Sequence, residues 1–398
     1  MDITIYPGKL SGAVCAIASK SQAHRLLICA AFADRETELI CPQTNQDIEA
    51  TADCLQALGA SIRRTENGYV VVPVSILPKS AILNCRESGS TLRFMLPVAG
   101  ALGVDATFQM AGRLPHRPLS PMWEEMERMG CKLNRPTADT IRCTGQLQSG
   151  HYRIDGGVSS QFITGLLFAM ALLPGRSQLT INGKLESKPY VDMTRNALSL
   201  FGVNTDGNTV SCALPFRSPG KITVEGDWSN GAFFLAAKAL GSPLEVLGLN
   251  TDSPQGDRAV AGILNNLQEN ITVSAADIPD LVPILSVVAA AKQGAVFTHI
   301  QRLRIKESDR VASVIAMLDA LGIRAEASES TLTVYPGQIL GGIVDSANDH
   351  RIAMSAAIAA TVASGPVTIR NAQCVTKSYP AFWEDYRKLG GNDEQYIR

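Results

Sequence analysis

The chain has 398 residues, 45% of them hydrophobic, which is enough apolar material for two or three packed globular domains. Its formal net charge is -1, from 36 Lys and Arg against 37 Asp and Glu. That balance argues against a nucleic-acid binder, which carries a basic surplus, so any anion site must be local.

In chain order, Ile3 and Ile5 alternate with polar residues ahead of Pro7, the pattern of a short strand. Residues 18–25 are polar and run directly into the apolar stretch 26–33, a polar head on an almost wholly apolar helix. The design recurs, with residues 87–93 heading 94–103, and 159–161 heading 162–173. Residues 227–230 head 231–240, 277–280 head 281–291, and 348–351 head 352–363. A helix apolar all round is buried, so a polar first turn alone predicts an opening onto a cleft. Amphipathic helices are expected over 47–59, 123–130, 190–202, 259–267, 308–322 and 381–390, several ended by Gly. Strand-like runs lie at 69–72, 107–110, 178–181, 331–334 and 367–369. The repeating unit is strands plus one buried and one amphipathic helix, six times over. Six units fit two domains of three, with the polar heads facing one another across an interdomain cleft.

Nine cysteines, none in a Cys-x-x-Cys pair, predict reduced thiols and a cytoplasmic location. Cys374, beside a polar motif, is expected to be structural. The first residues lack the basic start and apolar run of a signal peptide, and no window suits a membrane span. There is no Gly-x-x-x-x-Gly-Lys-Ser/Thr loop, Gly-x-Gly-x-x-Gly turn, His-Glu-x-x-His or Gly-x-Ser-x-Gly elbow. Nucleotide, metal and serine-hydrolase readings are therefore weak.

What remains is a set of cations on the heads: Lys20, Arg25, Arg93 and Arg351, with Arg113 and Arg117 in a loop and Lys377 near the end. The densest charge is Gln301–Arg310, with Arg302, Arg304, Lys306 and Arg310 around Glu307 and Asp309. It precedes an amphipathic helix, where free N–H groups and the dipole favour an anion. Ser159, Ser160 and Gln161 at a helix start suit phosphate oxygens, although such a Ser pair is far more often a cap. Asp280 and Glu307 are acid/base candidates. Each feature is ordinary alone, but together they indicate a small substrate with more than one anionic group.

Nearly end to end, the chain resembles the 5-enolpyruvylshikimate-3-phosphate synthase family. The ordered motifs are Ser-Lys-Ser-Gln-Ala-His-Arg25, Glu-Ser-Gly-Ser-Thr-Leu-Arg93 and Gly-Arg-Leu-Pro-His-Arg-Pro118. Asp-Gly-Gly-Val-Ser-Ser-Gln-Phe162, Glu-Ser-Lys-Pro-Tyr190, Val-Glu-Gly-Asp227 and Ile-Pro-Asp280 follow. Arg-Ile-Lys-Glu-Ser-Asp-Arg310, Asn-Asp-His-Arg351 and Lys377-Ser-Tyr-Pro complete the set. The resemblance implies an α/β protein of two inside-out α/β barrel domains, each of three βαβαββ units with buried parallel helices. It implies a phosphoenolpyruvate-side domain of 1–18 plus 226–398 and a shikimate-3-phosphate-side domain of 19–225. The implied reaction moves the enolpyruvyl group of phosphoenolpyruvate to the 5-hydroxyl of shikimate 3-phosphate, on the way to chorismate and aromatic amino acids.

Lys20, Ser21, Arg25, Ser159, Ser160, Gln161, Ser187, Tyr190, Asp280 and Lys306 would then hold shikimate 3-phosphate. Lys20, Gly89, Arg117, Gln161, Arg310, Arg351 and Lys377 would hold phosphoenolpyruvate. Asp280 would be the base on the 5-hydroxyl and Glu307 the acid that protonates the methylene carbon, with Lys20 a third catalytic group. No metal or organic cofactor is expected, the chain is expected to be a monomer, and glyphosate is the expected inhibitor. Many relatives read Asn-Ala-Gly-Thr where this chain has Glu87-Ser-Gly-Ser90, so Glu87 must turn away or meet a cation. The sister family acting on UDP-N-acetylglucosamine has a reactive Cys in the loop that here runs Gly112–Ser120 without one. An inert scaffold of the same fold would have no need to retain Asp280, Glu307 and Lys20 together. His24, His116, His151 and His350 are open between site and packing roles.

Overall fold

A computed structural model describes residues 1–267 and 271–396. The chain packs as two units, Ala18–Val224 and Met1–Ile17 with Glu225–Arg398. None of the described helices is long and apolar enough to cross a membrane.

The unit Ala18–Val224 carries helices α1 (Lys20–Ala31), α2 (Gln46–Ala57), α3 (Gly89–Leu102), α4 (Met122–Arg128), α5 (Ser160–Leu172) and α6 (Lys188–Leu200). Helices α1, α3 and α5 form its interior. Every residue of α5 except Gln161 is buried, and in α1 only Lys20, Ser21 and Gln22 are not. In α3 the open positions are Ser90 and Leu102. The apolar bodies bury because each Leu, Ile, Phe or Met withdrawn from water stabilises by roughly 1.5–3 kcal/mol. The polar first turns stay partly open.

Each of the unit's sheets combines a parallel pair with an antiparallel hairpin. Ser80–Asn84 runs parallel to Asp105–Gln109, which pairs antiparallel with Thr140–Gly145 and so with Cys131–Asn134. Thr37–Ile40 pairs in the same way with Lys221–Thr223 and Gly68–Val72, and His151–Asp155 with Arg176–Asn182. Alternating burial along Ser80–Asn84 turns one face to the helices and the other to water.

One interior contact depends on two residues. Pro97 sits inside α3 and has no N–H for the carbonyl of Arg93. Gly165 of α5 covers that carbonyl so closely that a Cβ there would lie 2.1 Å from Arg93 O and 3.0 Å from Pro97 Cγ.

The second unit repeats the plan with α7 (Trp228–Ala239), α8 (Val260–Asn266), α9 (Val282–Ala291), α10 (Arg310–Ala320), α11 (His350–Ala360) and α12 (Phe382–Lys388). Helices α7, α9 and α11 are interior, and α11 is buried throughout. The parallel pairs are Ile271–Ser274 with Ala295–Thr298, Gly342–Asp345 with Val367–Arg370, and Gly12–Cys15 with Leu244–Leu247. The N-terminal strand Asp2–Tyr6 pairs with both Val367–Arg370 and Asn392–Tyr396. Each unit is thus an α/β barrel turned inside out, three repeats of helices within and strands without.

The charged stretch differs from the sequence expectation in detail. Gln301–Ile305 forms a 3-10 turn, and α10 begins only at Arg310. Asp309 sets that start by accepting the N–H groups of Val311 and Ala312 at 3.1 and 3.2 Å. Lys306 and Glu307 therefore lie in the connection, off the helix.

Candidate active site

The heads of the three interior helices of Ala18–Val224 are joined by polar contacts. Lys20 Nζ meets Asp47 Oδ2 at 2.9 Å. Arg25 is 2% exposed, and its donors go inward. They reach Ser21 O at 2.6 Å, Thr194 Oγ1 and Tyr190 O at 2.9 Å, and Thr164 Oγ1 at 3.3 Å. Arg25 therefore ties α1 to α5 and α6, and with them Ser21 to Tyr190. All these partners are neutral, so burial dominates and pulls its guanidinium down to about 10. Ser187 precedes α6 in the left-handed region at φ 53°, a strained position for a non-glycine and common at sites. Ser159 caps α5 by accepting Gln161 N at 3.3 Å, and both Ser159 and Ser160 are buried. The capping role that a serine pair usually has is thus present.

Gln161 joins α5 to α3. Its Oε1 accepts from Arg93 Nη1 at 2.7 Å, and its Nε2 donates to Ser90 Oγ at 2.9 Å. Arg93 Nη2 continues to Pro118 O at 3.0 Å, next to Arg117. Gly89 lies under both guanidiniums: a Cβ there would sit 2.5 Å from Arg117 Nη1 and 3.1 Å from Arg93 Nη1. The carboxyl of Glu87 lies against Gly112, where a Cβ would come within 2.6 Å of its Oε2.

The second unit holds a tighter cluster around Arg310, which is 1% exposed. Its Nε donates to Asp349 Oδ2 at 2.8 Å, its Nη1 to Asp280 Oδ1 at 2.6 Å and its Nη2 to Glu307 Oε2 at 2.6 Å. One guanidinium thus spans both acid/base candidates. Burial works to lower the Arg310 guanidinium, but the three carboxylates overcome it and hold it well above its ordinary value. Arg351 adds Nη2 to Asp280 Oδ2 at 2.9 Å and Nη1 to Asp280 O at 3.1 Å, and Lys306 Nζ lies 3.7 Å from Asp280 Oδ1. Burial alone would raise the Asp280 carboxyl, but Arg351, Lys306 and Arg310 hold it well below the ordinary range. Lys306 is pulled down to about 8, chiefly by burial, against the opposing pull of Asp280. Lys377 Nζ reaches Asn348 O at 3.1 Å, beside left-handed Ala347 and Asn348 at φ 51° and 55°.

The EPSP synthase family model, described as 3-phosphoshikimate 1-carboxyvinyltransferase, matches residues 5–386. The chain belongs to the EPSP synthase family. It is 38% identical to the 3-phosphoshikimate 1-carboxyvinyltransferase of Clostridium kluyveri, over 99% of this chain and 98% of that one. It is 36% identical to that of Clostridium beijerinckii, over 98% of each. An EPSP synthase structure from Acinetobacter baumannii superposes with a TM-score of 0.80 at 25% identity, covering 99% of each chain. The enolpyruvyl transferase NikO of Streptomyces tendae shares the fold, with a TM-score of 0.76 at 18% identity over 100% of this chain and 99% of that one.

Within this EPSP synthase fold, Lys20, Ser21, Arg25, Gly89, Arg117, Ser159, Ser160, Gln161, Ser187 and Tyr190 belong to Ala18–Val224. Asp280, Lys306, Glu307, Arg310, Arg351 and Lys377 belong to the other unit. Sequence reasoning missed the carboxylates Asp47, Asp257 and Asp349, and gave Arg93 no role. Asp47 reads locally as a first-turn helix acid, and only packing pairs it with Lys20. Asp257 is 3% exposed and lies in the 3-10 turn Gly256–Ala259, facing Asp280, Arg351, Asp227 and Ser229. Burial, then the charge of Asp280, raises its carboxyl to about 6. Cys374 is buried with its thiol pushed up to about 12, mainly by burial, which suits a structural role.

Proposed function

We propose that the chain transfers the enolpyruvyl group of phosphoenolpyruvate to the 5-hydroxyl of shikimate 3-phosphate and releases phosphate, as a step toward chorismate and aromatic amino acids. Family membership supports the reaction, and the bridge from Asp280 through Arg310 to Glu307 carries the assignment of roles.

Lys20, Ser21, Arg25, Ser159, Ser160, Gln161, Ser187, Tyr190, Asp280 and Lys306 hold shikimate 3-phosphate in this reading. Lys20, Gly89, Arg117, Gln161, Arg310, Arg351 and Lys377 serve phosphoenolpyruvate. Glu307, which takes up a proton as the anionic groups of phosphoenolpyruvate draw Arg310 away from it, gives that proton to the methylene carbon, which builds positive character at the neighbouring carbon. The 5-hydroxyl attacks there, and its proton goes to Asp280. The adduct then returns the methylene proton to Glu307 as the carbon–oxygen bond to phosphate breaks, restoring the double bond. Ionised Asp280 with three cations beside it is a weak base. The anionic groups of phosphoenolpyruvate compete for Arg310 and Arg351, loosen their hold on Asp280 and raise its basicity as substrate arrives.

Because Gly89 has no side chain, the Arg117 guanidinium lies directly against the backbone there, where a Cβ would come within 2.5 Å, and glyphosate is the inhibitor expected to meet these phosphoenolpyruvate groups. Glu87 lies against Gly112, at the start of the loop that carries Arg117. Nine free thiols suit the cytoplasm, and in this reading the chain acts as a monomer.

Mixing both substrates and following phosphate release tests the reaction; binding without release would point to an inert relative. Asp280→Ala and Glu307→Ala each lower kcat at least about 10²-fold. A near-wild-type rate in either variant would remove that residue from its role.

A further inference from the structure

His24 lies one helical turn beyond Lys20 on α1 and is 1% exposed. Its Nδ1 is 2.7 Å from Thr51 Oγ1, which is 2.8 Å from Thr91 Oγ1. Thr91 Oγ1 lies 2.8 Å from Ser88 Oγ and 3.3 Å from Asp47 O. Ser88 Oγ is also the cap of α3, accepting Thr91 N at 3.2 Å.

Counting protons gives the chain a direction. Thr91 Oγ1 is the donor both to Asp47 O and to Ser88 Oγ, so its single hydroxyl proton is shared between them. Thr91 must then accept from Thr51. Thr51 has no second proton and must accept from His24. That count puts the proton on Nδ1, and Nε2 is buried with no hydrogen-bond partner among the described residues. Burial, then Lys20 and Arg25, hold the ring well below its ordinary value, so the imidazole is neutral. Its edge meets Phe94 with ring centres 6.1 Å apart.

Both ends of the chain reach groups assigned to phosphoenolpyruvate. Asp47, whose carbonyl accepts from Thr91, also pairs with Lys20 through its carboxylate. Ser88 immediately precedes Gly89, the residue beneath Arg117. The pairs Lys20–Asp47 and His24–Thr51 are successive rungs between α1 and α2, four residues apart on each helix.

We propose that His24 is a positioning residue for the phosphoenolpyruvate half of the site: its Nδ1–H sets the direction of a buried hydroxyl chain that fixes Asp47 and the first turn of α3, and with them Lys20 and Arg117. This rests on the reaction proposed above. Asn can place an amide N–H near the Nδ1 position; Gln projects its amide toward Nε2, and Leu has no donor. His24→Gln and His24→Leu are expected to lose about tenfold or more in kcat/KM, mainly through KM for phosphoenolpyruvate, as for a lost buried hydrogen bond. His24→Asn is expected to recover to within about threefold of the wild type. Wild-type rates from the Leu variant, or a loss in the Asn variant as large as in the Leu variant, would overturn the proposal. Nitrogen-15 spectra of the wild-type imidazole need neither turnover nor a folded variant. They should show the proton on Nδ1 from pH 6 to 8, and a proton on Nε2 would refute the chain direction. Absence of phosphate release in the wild type would count against the reaction, whereas the spectrum tests His24 independently.

Discussion

Arg25 and Arg310 are equally buried, yet their surroundings move them in opposite directions. Hydroxyls and carbonyls around Arg25 give burial nothing to balance it, while three carboxylates around Arg310 more than compensate. Lys306 lies between these cases, near 8. Its ammonium is complete below that pH and fades above it. We expect kcat/KM for shikimate 3-phosphate, which Lys306 is assigned to hold, to fall about tenfold per pH unit above about 8. Lys306→Arg, charged throughout, should move that limb upward by a unit or more; an unmoved limb would clear Lys306 of causing it. Stability runs the other way, because an unfolded Lys near its ordinary 10.5 binds more protons than the folded one between about 8 and 10.5. Stability from this group therefore rises with pH across that window. For Asp257, raised from 3.8 to about 6, the contribution is full below about 3.8 and is lost as pH rises through about 6. Asp257→Asn should flatten that loss in thermal melts taken between pH 4 and 7.

The interior helices read well from the sequence because a polar first turn on an apolar body is a local pattern. The residues left open on α1, α3 and α5 include Lys20, Ser21, Ser90 and Gln161, all within the predicted heads. How two such helices touch is not local. Pro97 frees the Arg93 carbonyl, and Gly165 covers it from another helix. Gly165→Ala would drive a methyl into a backbone oxygen that cannot rotate away, and should cost about 1–3 kcal/mol or more. Chemical denaturation should show a lower midpoint. An unchanged midpoint would mean that α3 and α5 can separate at little cost. The charged stretch 301–310 was expected just ahead of an amphipathic helix, and the Asp309 cap starts that helix at Arg310; the 3-10 turn over Gln301–Ile305 is what no local pattern announced.

At the scale of the molecule, each unit has its own core. Ligands that bind only folded protein raise its melting temperature by mass action, and two that bind cooperatively raise it beyond the sum of their separate effects. Shikimate 3-phosphate with glyphosate should do so in a thermal melt, whereas additive shifts would contradict the assignment of glyphosate to the phosphoenolpyruvate groups. By itself the sequence determined the six repeats, the buried and amphipathic helices and the polar heads, because hydrophobic periodicity and caps act within a few residues. The tertiary structure decided which charges meet. Lys20 takes Asp47, Arg117 leans over Gly89, and Arg310 binds Asp280, Glu307 and Asp349. Such partners, tens of residues apart in most cases, are chosen by how interior helices pack, and no local propensity encodes that choice.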